Sequence, residues 1–200
     1  RTHPDRSSWV ATEPTDLPWT STPERDVAYA RYDRPWADDR LDGAVHERWM
    51  VFSKGDLDSS QQPFWLVRDR LSGDLADEHE LRFLLHFYPG DIVCDDANGA
   101  ITTQYGTDGG NLRVAFSEPD TMTLDAARGQ DDPVRGWFSE DYGIIEPAWE
   151  VAAVRTSDFP VEYVVALVPF RGSEAPVAAV EQTKGGARVL IDGTAHEVSF

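Results

Sequence analysis

The stretch HELRFLLHFYPG, residues 79 to 90, alternates with a period of two. His79, Leu81, Phe83, Leu85 and Phe87 fall on one face, and Glu80, Arg82, Leu84, His86 and Tyr88 on the other, before Pro89-Gly90 ends the run. That pattern predicts a strand over 79–88. HERWMVFSK sets Trp49 and Val51 against Met50 and Phe52, and FWLVRDRL follows after a polar turn, so 47–53 and 64–71 read as a hairpin. Trp65 lies inside the second of these strands, which places it in the core. Further short strands are predicted at 91–94, 100–105, 111–117 and 121–125. Beyond the loop ARGQDDPVRG, the segments GWFSEDYGIIEP, WEVAAVRTS, PVEYVVALVPF, PVAAVEQTK, ARVLIDG and AHEVSF continue the alternation. Breaks of Gly, Pro and Asp recur every 8 to 12 residues, the spacing of an antiparallel sandwich. No segment holds a helical period of useful length; TMTLDAARG allows one turn. The predicted fold is all-β, a large antiparallel two-sheet sandwich with minimal helix, over residues 46–200. Residues 1–45, rich in Pro, Asp, Thr and Ser, read as an irregular lead-in pinned by aromatics, with short strands near 7–11 and 26–32.

Charge changes the list of partners. The chain carries 36 acidic and 18 basic residues, a net charge of −18. Such a surface repels nucleic acid and anionic membranes. Only Lys54 and Lys184 are lysines, so the composition reads either as a solvated acidic surface or as adaptation to high salt. The lone Cys94 has no second cysteine to pair with, and Asp95 and Asp96 beside it disfavour a thiolate, so it reads as inert. The opening RTHPDRSSWV has neither an initiator Met nor an apolar signal region and reads as the start of a fragment or processed piece. Localisation stays open, with an extracellular or cell-surface setting favoured.

Taken in order, several stretches resemble the C-terminal β-sandwich region of heparinase II/III-like polysaccharide lyases. AVHERWMVFSKGD resembles that family's His-x-Arg strand, and FWLVRDRLSG its Trp-Leu-Val-x-Asp-x-Leu-x-Gly strand and turn. HELRFLLHFYPG, GWFSEDYGIIEPA and LVPF follow in the family's order, so the resemblance covers roughly residues 46 to 170. It implies a parent protein that cleaves uronate-containing polysaccharide by β-elimination. It also implies a catalytic Tyr, and an Asn or His, on an N-terminal α/α toroid that this chain lacks. The family's metal site, for a divalent ion such as zinc, would be completed by a His-Asn-Thr motif. The opening of this chain aligns with that motif either through His3 as the ligand or through Arg6-Ser7-Ser8, in which case the ligand is lost. No cofactor is expected in this chain alone.

β-Elimination beside a uronate needs a base, an acid for the leaving oxygen, and a group that neutralises the carboxylate. His46 and Arg48 lie two apart on one strand and point the same way, with Tyr32 before them. Arg48 is suited to a bidentate grip on a uronate carboxylate; the plainer alternative is a salt bridge to a nearby Asp. Trp137, at a predicted turn, reads either as a cap on the core or as a stacking platform for a sugar ring. The substrate-binding candidates are therefore Tyr32, His46, Arg48 and Trp137, and the metal-ligand candidate is His3. No catalytic residue is assigned. His79 reads as a packed sheet residue and His86 as part of a polar cross-strand ladder. Seven residues apart in a strand, they stand about 23 Å from each other and cannot share one metal. The partners expected are an acidic polysaccharide and the missing toroid. The functional expectation is an accessory β domain that supports the toroid and supplies one wall of the substrate cleft; a stand-alone carbohydrate-binding module is the alternative.

Overall fold

The computed structural model describes residues 18–33, 43–55, 62–74 and 77–200. It is all-β and antiparallel throughout, with only two single-turn 3-10 segments, at Asp96–Asn98 and Pro119–Thr121, among the described residues. The first part of the chain lays down β1 (Trp19–Ser21), β2 (Arg25–Tyr32), β3 (Val45–Ser53) and β4 (Phe64–Ser72). Then come β5 (His79–His86), β6 (Asp91–Asp95), β7 (Ala100–Gln104), β8 (Gly110–Phe116) and β9 (Thr123–Arg128). Two small ladders follow, β10 (Gln130–Asp131) with β11 (Val134–Arg135), and β12 (Trp137–Phe138) with β13 (Glu146–Pro147). The long strands β14 (Trp149–Ser157) and β15 (Val161–Arg171) precede a closing meander of β16 (Ala178–Thr183), β17 (Gly186–Ile191) and β18 (Thr194–Ser199).

Eight strands form the main sheet, in the order β1-β2-β3-β4-β15-β8-β7-β6. The alternation of β4 shows why this sheet is central. Leu66, buried completely, faces one side with Phe64; Val67 faces the other. Phe64, Leu66, Val51, Val164 and Val168 pack against Val180, Val189 and Val198 of the β16–β18 meander. On the opposite face, Val67, Val114, Phe116 and Val165 pack against Leu81, Phe83 and Val151. Those last residues belong to the three-stranded sheet β5-β14-β9. The sandwich thus has a large middle sheet with apolar residues on both faces, which explains the near-continuous apolar run EYVVALVPF of β15.

The strand expected over 79–88 stops at His86, and the hairpin of β3 and β4 pairs in the register Ser53 with Phe64 and Val45 with Ser72. Trp65 differs from its expected place. It is half-buried rather than in the core and stacks on Phe52 with ring centroids 4.4 Å apart. Its cross-strand row, Phe52–Trp65–Leu167, is half-buried along its whole length, whereas Phe64 and Leu66 on either side of it in sequence meet the β16–β18 meander. The 3-10 turn Pro119–Thr121 ends where TMTLDAAR begins, and that stretch, which allowed one helical turn in the sequence, runs extended into β9.

Cys94 is exposed on β6, and burial of its sulfur together with the nearby Asp96 pushes the thiol above its ordinary range. A protonated thiol is a poor nucleophile. Cys94→Ser is expected to change unfolding free energy by less than about 0.5 kcal/mol. The wild-type thiol is expected to react with a disulfide reagent at pH 7 more slowly than a free cysteine peptide, a rate read directly by absorbance.

Candidate functional site

Strand register brings the sequence candidates together. Tyr32 of β2 stands opposite His46 of β3, and Arg48, two residues on, stands opposite Asp69 of β4. Asp69 in turn faces Tyr163 of β15. Directly opposed residues share a face, so Tyr32, His46, Arg48, Asp69 and Tyr163 all project from the same side of the main sheet, toward β5. Between that side and β5 lies a cleft of about 380 Å³, lined among others by His46, Arg48, Asp69, Leu81, Phe83 and Tyr163.

Asp69 organises the cleft. It is 4% exposed, and a carboxylate so deeply buried must be paired. The Arg48 guanidinium grips it with two parallel bonds, Nε to Oδ1 at 2.6 Å and Nη2 to Oδ2 at 2.5 Å. His46 Nε2 lies 3.3 Å from Oδ1. Burial alone would raise the Asp69 carboxyl; the bonds from Arg48 and His46 outweigh it and hold the group below its ordinary range. The Arg48 guanidinium also sits 5.7 Å from the centre of the Phe83 ring. Tyr163 closes the back wall, donating its hydroxyl to the Leu81 carbonyl at 3.0 Å, and burial pushes its phenol up to about 12. A phenol in that state is no base near neutral pH.

Of the two readings of Arg48, the salt bridge is therefore present. The bridge uses one edge of the guanidinium, Nε and Nη2; Nη1 has no hydrogen bond among the described residues. An arginine has five N–H donors, so a second anion can still be met from the open edge. This arrangement can position and neutralise a carboxylate. His46 is the imidazole of the cleft, with its Nε2 turned to Asp69.

Trp137 is not part of this cleft. It is half-buried on β12, pairs with Pro147, and donates Nε1 to the Gln130 carbonyl at 2.9 Å. His3 lies outside the described residues. Among the described residues no three His, Cys, Asp or Glu side chains are grouped to hold a metal. His46 and Asp69 make only a pair, and both Asp69 oxygens are already taken by Arg48, so the cleft residues do not fit a divalent ion. His79 stacks on Phe159 at 5.3 Å, and His86 lies across from Glu150, its Nδ1 at 3.8 Å. The polar ladder expected around His86 is present: Arg82 bridges Glu80 and Asp125, and Arg135 bridges Asp125 and Glu150.

Sequence reasoning missed Asp69. Its signal was there: in FWLVRDRL it shares the face of Trp65, Val67 and Leu71, a charge where the alternation calls for an apolar residue.

No family model and no curated protein sequence matches the chain. Solved structures do. Heparan sulfate lyase HepC from Pedobacter heparinus superposes with a TM-score of 0.73 at 18% identity, covering 92% of this chain and 27% of the lyase. The heparinase III BT4657 gene product gives 0.71 at 16% identity, over 91% of this chain and 26% of its own. A further heparinase III structure gives 0.71 at 14% identity, over 92% and 27%. The likeness shows a shared fold, the one the motif resemblance implied. The chain spans about a quarter of the length of these lyases.

Proposed function

We propose that this chain is the C-terminal β-sandwich part of a polysaccharide lyase of the heparinase II/III kind, and that its parent cleaves uronate-containing polysaccharide by β-elimination. The observation that carries the reading is the coverage: nearly the whole chain matches about a quarter of each lyase. In this reading the catalytic acid and base lie in the rest of the parent, on a toroid that the sandwich supports. The Asp69–Arg48–His46 cleft forms one wall of the substrate path. Its open guanidinium edge takes a uronate carboxylate, and Tyr32 flanks the sugar. Asp69 makes the arginine rigid before the substrate arrives, which lowers the ordering cost of binding.

The test uses the full-length parent and the ultraviolet absorbance of the unsaturated uronate product. Arg48→Lys keeps a charge for Asp69 but loses the planar fork. The expected result is a KM raised about tenfold with kcat nearly unchanged, because a binding contact worth about 1.4 kcal/mol is removed from ground and transition states alike. A parent that yields no unsaturated product removes the lyase reading. An unchanged KM removes Arg48 from the wall. The alternative, a carbohydrate-binding module with no enzyme attached, draws on the exposed rings of Tyr88 and Tyr142, which are 55% and fully solvent-accessible.

A further inference from the structure

A second, larger cavity lies at the other end of β15. It measures about 800 Å³ and is lined by Gln62, Phe170, Arg171, Glu174 and Asp192 together with Pro63, Pro169 and Pro176. Tyr163, in the first cleft, and Arg171, in this one, are eight residues apart on the same strand, roughly 27 Å. The two are separate sites.

Arg171 differs from the cations of the first cleft. Arg48 and Arg82 are both engaged with carboxylates there. The side chain of Arg171, exposed at the end of β15 where the backbone pairs with Gly110, has no hydrogen bond or ion pair among the described residues. Like Arg25 and Arg113, Arg171 has no carboxylate partner among the described residues, but unlike them it lines a cavity.

The walls around it are fixed. Asn111, 5% exposed, donates its amide to the Gly172 carbonyl at 2.9 Å and to the Gly106 carbonyl at 3.0 Å. Its oxygen accepts from the Tyr105 backbone N–H at 2.7 Å and from the Thr103 hydroxyl at 3.2 Å. This one buried amide ties the strand exit beside Arg171 to the turn before β8. Gln62 bonds the Pro169 carbonyl on another side. On a third, the Val177 N–H donates to the Asp192 carboxylate at 2.8 Å, and the Asp192 N–H returns a bond to the Val177 carbonyl at 2.9 Å. The result is a solvent-open cavity lined by polar and apolar side chains in similar measure, with room for a sugar unit.

We infer that this cavity is a second saccharide-binding subsite that takes a sugar unit bearing a single carboxylate, with Arg171 as the anion contact. The inference rests on the reading of the chain as part of a polysaccharide-handling protein. Arg171 presents a full guanidinium fork to the carboxylate. The Phe170 ring and the proline rings offer flat apolar surface to the C–H face of a pyranose. Glu174 and Asp192 accept bonds from sugar hydroxyls. Those same two carboxylates disfavour an acidic peptide or a densely sulfated chain, which would bring several negative charges beside them.

The test is calorimetric and NMR titration of the whole 200-residue chain with a glucuronate tetrasaccharide, a neutral glucose tetrasaccharide and a heparin tetrasaccharide. The expected result is binding of the glucuronate probe in preference to the other two, with amide shifts at Gly110, Phe170 and Gly172. Arg171→Ala is expected to weaken that binding at least tenfold while leaving the unfolding temperature unchanged, since the side chain is unpaired. Arg171→Lys is expected to restore part of it. Arg48→Lys reads the other site. If Arg48→Lys weakens binding and Arg171→Ala does not, the second subsite is overturned and the first cleft stands. If the wild-type chain binds none of the probes at millimolar concentration, or takes the neutral sugar equally well, the inference is overturned while the parent's elimination assay still decides the proposed function.

Discussion

Asp69→Ala is expected to destabilise the sandwich by about 2–3 kcal/mol, lowering the unfolding temperature by about 8 °C. Removing one partner of a buried ion pair costs about 3–5 kcal/mol because the other charge is left without compensation. Here Arg48 keeps 45% of its side-chain surface in water, so part of the loss is recovered by hydration. His46, whose Nε2 lies 3.3 Å from the carboxylate, loses that neighbour as well. The effect carries a pH signature with a definite sign. Asp69 titrates below its ordinary range in the fold. Its contribution is therefore fully present above the unfolded-state value of about 3.9 and is lost as pH falls through the lower folded-state value. Urea unfolding between pH 3 and pH 7 checks both parts: Asp69→Ala should be less stable than wild type at pH 7, with the gap narrowing toward pH 3. A gap under 0.5 kcal/mol at pH 7 would mean that the pair does not organise the cleft.

Gly136→Ala is expected to be costlier, on the order of 4 kcal/mol. Gly136 joins β11 to β12 with φ near +71°, where an L side chain is strained. Space is the larger problem. A Cβ there would lie 2.6 Å from the Ala127 carbonyl oxygen, 2.7 Å from the Arg128 Cα and 2.8 Å from the Ala148 carbonyl oxygen. All three are backbone atoms and cannot swing away. The Gly136 carbonyl also accepts from Gly129 N–H at 2.7 Å and Ala148 N–H at 2.9 Å, so a shift of this residue pulls apart the joint between β9, β12 and β14. Thermal unfolding should show a fall of about 10 °C or more, and Trp137 fluorescence should change with it. Neighbouring Gly143, with positive φ and open space around it, is the control: Gly143→Ala carries only the backbone strain.

Much of the fold was legible because its strands alternate cleanly. The hairpin of β3 and β4 follows from two amphipathic runs joined by a polar stretch, and HELRFLLH announces β5 in the same way. What alternation cannot show is which strands become neighbours. β15 lies between β4 and β8, although nearly ninety residues separate it from β4 in sequence. The double coverage of the main sheet was hidden for the same reason, and with it the half-buried position of Trp65. For the site, the common direction of His46 and Arg48 followed from strand geometry, whereas the pairing of Tyr32 with His46 is set by the meeting of β2 and β3 and needed coordinates. Asp69 left a trace as a charge on an apolar face. Arg171 left none, because nothing in VPFRGSE tells a free arginine from a paired one. The answer to Arg48 needed coordinates: its carboxylate partner is on the next strand, twenty-one positions away.

The most direct measurement is the unsaturated-uronate absorbance assay, run side by side on the 200-residue chain and on its full-length parent, against a panel of uronate-containing polysaccharides at low and high salt. The expected result is product from the parent and none from the chain alone, since in the proposed reading the catalytic acid and base lie in the rest of the parent, while the cleft around Asp69 supplies a neutralising arginine. Turnover by the 200-residue chain would contradict it, and would place the catalytic groups inside the sandwich.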